Sequence, residues 1–148
     1  MKRTFLYLIL IVNVAATIGI WWLGSGVLFS VSQGGPLIAL GRLMGLLLEL
    51  TILLQVILIG RITFIEQTFG HDKLNKLHRL VGYSVLVLFF AHPLLLIFGY
   101  GQLNQTSLIA QFLDFFKNYE DVFRAVVGWL MFITIIGVTI TLRKKIHY

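Results

Sequence analysis

Cysteine is absent from the 148 residues. Disulfides, thiolate metal sites, iron–sulfur ligation and cysteine nucleophiles are thereby excluded. The four histidines are left as the obvious soft ligands. Charge is scarce as well. Charged residues make up 12% of the chain and apolar residues 58%, whereas soluble proteins carry roughly 25% charged residues. This balance excludes an ordinary soluble domain. Acidic residues are the rarer sign, six against 12 Lys and Arg, which leaves a net charge of +6. The cations lie in short clusters between long apolar runs, so they read as topology signals and contacts with anionic lipid. No basic domain could dock on a duplex, which excludes nucleic acid as a partner. Also missing are a nucleophile–base–acid set, a Gly-rich phosphate loop, a metalloprotease helix and a nucleotide-binding domain.

What is present is a succession of apolar runs, each long enough to cross a hydrocarbon core of ~30 Å. They predict an all-α polytopic membrane bundle, one transmembrane domain over 1–148. Its four spans fall at about 4–23, 37–60, 75–99 and 122–142. The first follows Met1-Lys2-Arg3 and ends at Trp21-Trp22, a pair suited to an interfacial belt. A signal peptide shares the basic start, but this run is too long for one and no small-residue cleavage site follows, so a retained helix is favoured. Gly24-Ser25-Gly26 and Gly34-Gly35-Pro36 are turn signals between the first two spans. In the second span Gly41 and Gly45 form a small-xxx-small pair, which permits close approach of a helix or a cofactor. Between the third and fourth spans, Ser107 is placed to cap a short helix over 107–117. Leu108, Phe112 and Phe115, with Ile109, Leu113 and Phe116, recur there at helical spacing opposite Asp114 and Lys117. That pattern predicts an interfacial amphipathic helix.

The charge bias orients the spans. Lys2 and Arg3 open the chain, Arg61, Lys73 and Lys76 fill the connector after the second span, and Arg143-Lys144-Lys145 lie in the tail. The connector after the first span carries no charge. The positive-inside rule then puts both termini and the second connector in the cytoplasm of a plasma or inner membrane.

The third span carries His78 and His92, 14 residues apart. On a helix that spacing is about 1400°, within about 40° of whole turns, so the two rings share one face. It is also ~21 Å along the axis, which puts His78 near the cytoplasmic surface and His92 well towards the outer one. An imidazole in hydrocarbon needs a partner. Haem iron is one such partner, and two stacked imidazoles suggest two haems in series. The competing reading is that each ring hydrogen-bonds a neighbouring helix. Pro93, directly after His92, frees a carbonyl one turn earlier and is placed to kink the helix and aim that ring, or is one of the prolines that membrane helices carry without a special role. Arg42 is suited to pair with a haem propionate near His92, or else is a snorkelling interfacial residue. Arg79 stands in the same relation to His78, or is a plain topology charge. Glu49 lies near mid-membrane, about 10 Å along the axis from Arg42. Protonation, an arginine partner and proton handling all remain open for it. His71 reads as solvated in its connector and His147 as interfacial in the tail. Asn104-Gln105-Thr106 fits a glycosylation sequon, which matters only in a eukaryote.

Gly41-Arg42-Leu43-Met44-Gly45, Arg61, Leu77-His78-Arg79-Leu80-Val81-Gly82 and Ala91-His92-Pro93-Leu94 together resemble the ferric reductase-like transmembrane domain family. That family includes ferric reductases, the membrane part of NADPH oxidases and bacterial relatives. The resemblance covers the second span to the fourth and is strongest over 41–101. It implies a bundle holding two b-type haems, each between a histidine of the third helix and one of the fifth. His78 and His92 match the third-helix pair, and Arg42 and Arg79 would neutralise propionates. Arg143 to Tyr148 resembles the basic turn before the fifth helix, so the sequence is expected to be a fragment of a longer protein. FAD and NAD(P)H would act only through a further domain or a partner, such as a flavoprotein or a ferredoxin-reductase-type electron donor. The implied function is transfer of electrons from the cytoplasmic side through two haems to an outer acceptor. A non-redox structural or accessory subunit in the lipid bilayer is the alternative, with the histidines serving as interhelical ties.

Overall fold

In hydrocarbon the backbone N–H and C=O groups have no partner but one another, so apolar runs of this length fold as helices. The computed structural model describes residues 2–31 and 33–146. The side chains of 143–146 and all of His147 and Tyr148 lie outside the described residues, and so does the interfacial reading of His147. Six α-helices account for most of the described chain: α1 (Lys2–Ser25), α2 (Gly35–Ile59), α3 (Thr63–Phe69), α4 (His71–Leu103), α5 (Leu108–Asn118) and α6 (Glu120–Ile146). A 3-10 turn, Gly26–Ser30, follows α1. No strand occurs among the described residues. The helix α1 with its turn, together with α2, α4 and α6, is long and apolar enough to cross a membrane. Their apolar side chains face outward, Leu23 at 87% exposure and Ile20 at 67%. Only lipid accommodates so much exposed apolar surface, and the chain is an integral membrane protein of the all-α polytopic class.

Helix α4 extends past the span read from hydropathy at both ends, and the connector between α2 and α4 is itself largely helical. Hydropathy marks where a helix sits in hydrocarbon, not where its backbone hydrogen bonds stop. Ile62, in extended backbone, precedes α3. Gly70, at φ 83°, separates α3 from α4, a left-handed position that glycine adopts without a Cβ clash.

Two compact units divide the chain, residues 1–106 and 107–148. In the first, α2 and α4 pack antiparallel over nearly their whole length. Small residues set the distance. A Cβ on Gly34, which sits at φ 77°, would lie 2.0 Å from the Gly99 carbonyl oxygen. One on Gly41 would lie 2.8 Å from Leu96, and one on Gly99 2.7 Å from Ile38. With no hydrophobic driving force between helices in lipid, such close packing and interhelical hydrogen bonds hold the pair. Helix α1 joins at both ends. Trp21 Nε1 donates to the Ala39 carbonyl of α2 at 2.7 Å, in a buried contact. At the other end Arg3 Nε donates to the Thr68 carbonyl at 3.0 Å, Tyr7 stacks edge-on against Phe69, and Lys2 lies over the Phe64 ring. The N-terminal cations and the α2–α4 connector therefore share one end of this unit.

In the second unit Ser107 caps α5, its hydroxyl accepting from Ala110 N at 3.2 Å. The helix is strongly amphipathic, and Phe116 meets Phe123 of α6 at 5.5 Å between ring centroids.

Candidate functional site

The site lies along the α2–α4 seam, within the first unit. Both histidines fall on one unbroken helix, because α4 runs through Pro93 from His71 to Leu103. Both are half-buried and both meet α2.

His92 is the better defined. Its Nδ1 lies 2.8 Å from the Gly41 carbonyl oxygen. A carbonyl only accepts, so Nδ1 carries the proton. The other ring nitrogen, Nε2, points away from that bond. Among the described residues Nε2 has no hydrogen bond. The ring rests on Gly45, where a Cβ would stand 2.7 Å from both Cε1 and Nδ1. Gly41 and Gly45 thus have distinct tasks: one supplies the acceptor and the other the space. An open groove of about 270 Å³ lies beside the ring, lined by Gly45, Leu48, Glu49, Ile52, Leu53 and His92.

His78 meets α2 through Gln55. Gln55 Nε2 donates to the His78 backbone carbonyl at 2.9 Å. The His78 Nδ1 is buried without a hydrogen-bond partner, and so is Gln55 Oε1. Sequence reasoning passes over Gln55. Its signal was a lone amide in an otherwise apolar stretch of α2, a residue type that joins helices in membranes.

The flanking charges are placed as follows. Arg42, next to the carbonyl that His92 engages, is exposed, and its guanidinium donates to the Tyr100 hydroxyl at 3.3 Å. Glu49 shares the groove with His92, and among the described residues no ion pair joins it to Arg42. Arg79 is exposed and has no hydrogen bond or ion pair among the described residues. His71 is exposed at the connector end and has two polar neighbours there. Its ring lies 3.5 Å from the Glu66 carboxylate and 3.1 Å from the Asn75 amide. These residues, with Arg61, line a second, polar cleft at the connector end. The structure does not bring His71 to the groove at His92.

A haem-type ligand set is chemically compatible with this seam. A ligating histidine almost always donates its other ring N–H to a carbonyl or carboxylate, which fixes the tautomer and orients the ring. His92 already does so. Leu48, Ile52 and Leu53 offer an apolar wall beside it, and Gly45 leaves the room that a larger residue would take. No group of three or more His, Asp or Glu suited to holding a bare metal ion occurs among the described residues.

No curated protein and no solved structure matches the chain. Residues 40–148 match the family described as the ferric reductase like transmembrane component. The match spans most of the chain and includes α2 from Leu40 onward, the whole of α4 and both histidines. On that match the chain belongs to the ferric reductase-like transmembrane family.

Proposed function

We propose that this chain is a membrane electron-transfer domain that binds two b-type haems, with His78 and His92 each supplying one axial nitrogen to iron. The carrying observation is the state of His92: Nδ1 is committed to the Gly41 carbonyl at 2.8 Å, and the ring borders an apolar groove. Bound haem would supply one-electron chemistry through its iron. The chain would supply position. Through α4 it holds the two ligands ~21 Å apart, and through Gly41 it fixes which nitrogen of His92 faces the metal. Arg42 and Arg79 would balance propionate charge as exposed guanidinium groups at the two levels.

The positive-inside bias supports a cytoplasmic location for both termini and for the α2–α4 connector, with His78 inward and His92 outward in a plasma or inner membrane. Electrons would then enter from a cytoplasmic donor, a flavoprotein or ferredoxin-reductase-type partner using FAD and NAD(P)H, and leave to an outer acceptor. The whole assembly would be a transmembrane oxidoreductase. The hydrogen bond from His92 to Gly41 also fits the other reading, in which histidines only tie helices together. The groove and the unengaged Nε2 favour the haem reading, because a tie needs neither.

Reduced-minus-oxidised spectra of the full chain, expressed with haem supplied, test the proposal. A b-type band is expected. His92→Leu should remove the outer haem and His78→Leu the inner one. The absence of any b-type band would reject haem binding, and retention of both haems in both variants would reject the ligand assignment.

A further inference from the structure

Two buried atoms on the α2–α4 seam lack partners, and they belong to residues already in contact. Gln55 anchors its amide nitrogen on the His78 backbone carbonyl at 2.9 Å. Its Oε1, an acceptor, is buried and unpaired. His78 Nδ1, a donor when protonated, is buried and unpaired too. An unsatisfied buried polar atom is costly, so two complementary ones on touching residues would be stabilised by pairing. Gly82 lies one helical turn after His78. A Cβ there would come within 2.9 Å of Gln55 Nε2, so the absence of a side chain makes the space in which the amide sits.

We infer that Gln55 is the positioning residue for His78: the two unpaired atoms are not bonded in this structure, and a small turn of the amide or the ring would let Oε1 accept the Nδ1 proton and hold the tautomer that leaves Nε2 for iron. The inference rests on the haem reading of His78 and extends it. It also makes the two ligand sites unlike. His92 donates to a backbone carbonyl, which no substitution removes. His78 depends on a side chain, so its basicity is set by what occupies position 55. A stronger acceptor makes the ring a better donor to iron and favours the ferric state, and removing the acceptor does the reverse.

The test uses the full chain in detergent or nanodiscs, with Gln55→Glu, Gln55→Leu and Gly82→Ala. Redox titration followed by absorbance should show two haem components in the wild type. The component lost in His78→Leu should move to lower potential in Gln55→Glu and to higher potential in Gln55→Leu. The component lost in His92→Leu should stay in place in both. A purely structural role for Gln55 would not give shifts of opposite sign confined to one haem. Gly82→Ala displaces only the end of a flexible side chain, so it should keep the fold and reproduce the upward shift. Haem-free protein gives a second readout. The imidazole nitrogen NMR signals of His78 should report a proton on Nδ1 in the wild type and an altered tautomer balance in Gln55→Leu. Bound haem with unmoved potentials would overturn the inference while leaving the haem reading intact. If no haem binds, the haem reading fails and the NMR result decides the role of Gln55; a proton on Nε2 in the wild type would overturn it.

Discussion

Replacing Gly45 with alanine tests the seam where fold and site coincide. The added methyl would stand 2.7 Å from His92 Cε1 and Nδ1. Carbon atoms pack best at about 3.5–4.0 Å, so ring and methyl must separate by ~1 Å. The ring cannot yield freely, because Nδ1 is bound to the Gly41 carbonyl one turn away on the same helix. Overpacking of this kind costs about 1–3 kcal/mol, and loss of the hydrogen bond adds roughly 0.5–1.5 kcal/mol. Against this, alanine gains about 1 kcal/mol over glycine in a helix. The steric term prevails, and the net destabilisation should be about 1–3 kcal/mol. Unfolding of the purified protein in mixed micelles, followed by circular dichroism, measures it. Gly128→Ala is the control, because a Cβ there meets nothing within 4 Å. If Gly45→Ala proves as stable as Gly128→Ala, the packing argument at His92 is refuted.

Three further outcomes follow from the same contacts. Gly128→Ala alone should be neutral or stabilising by up to about 1 kcal/mol in the same unfolding assay, from helix propensity. Trp21→Phe removes the buried bond to the Ala39 carbonyl and should cost about 0.5–1.5 kcal/mol, whereas Trp22→Phe, at an exposed position, should leave the unfolding midpoint unchanged. Gly34→Ala combines a left-handed backbone with a Cβ 2.0 Å from the Gly99 carbonyl oxygen. It should lower the yield of folded protein in size-exclusion profiles more than any of these, since neither atom belongs to a side chain that could rotate away.

The apolar runs determined by themselves that the chain is helical and membrane-embedded, because hydrocarbon allows the backbone no partner outside its own helix. They also placed His78 and His92 on one face, since helix period is a property of the backbone alone. The Ser107 cap and the amphipathic α5 were equally legible, both being local. What the sequence left open was which neighbour each polar residue meets. Hydropathy shows Gly41 and Gly45 as a stripe of small residues. Only the antiparallel register of α2 on α4 makes one of them the acceptor for His92 and the other the space beside its ring. Gln55 carried a weak signal, a lone amide among apolar residues. Its importance appears when α4 brings His78 and Gly82 against it. His71 is exposed, as its place in the connector foretells, and its two partners, Glu66 and Asn75, lie within five residues of it in sequence. The two histidines that open the functional reading are therefore one observation in sequence and two different sites in space. One ring is held by main chain, the other stands beside a glutamine, and the difference comes from where along α2 each turn of α4 packs.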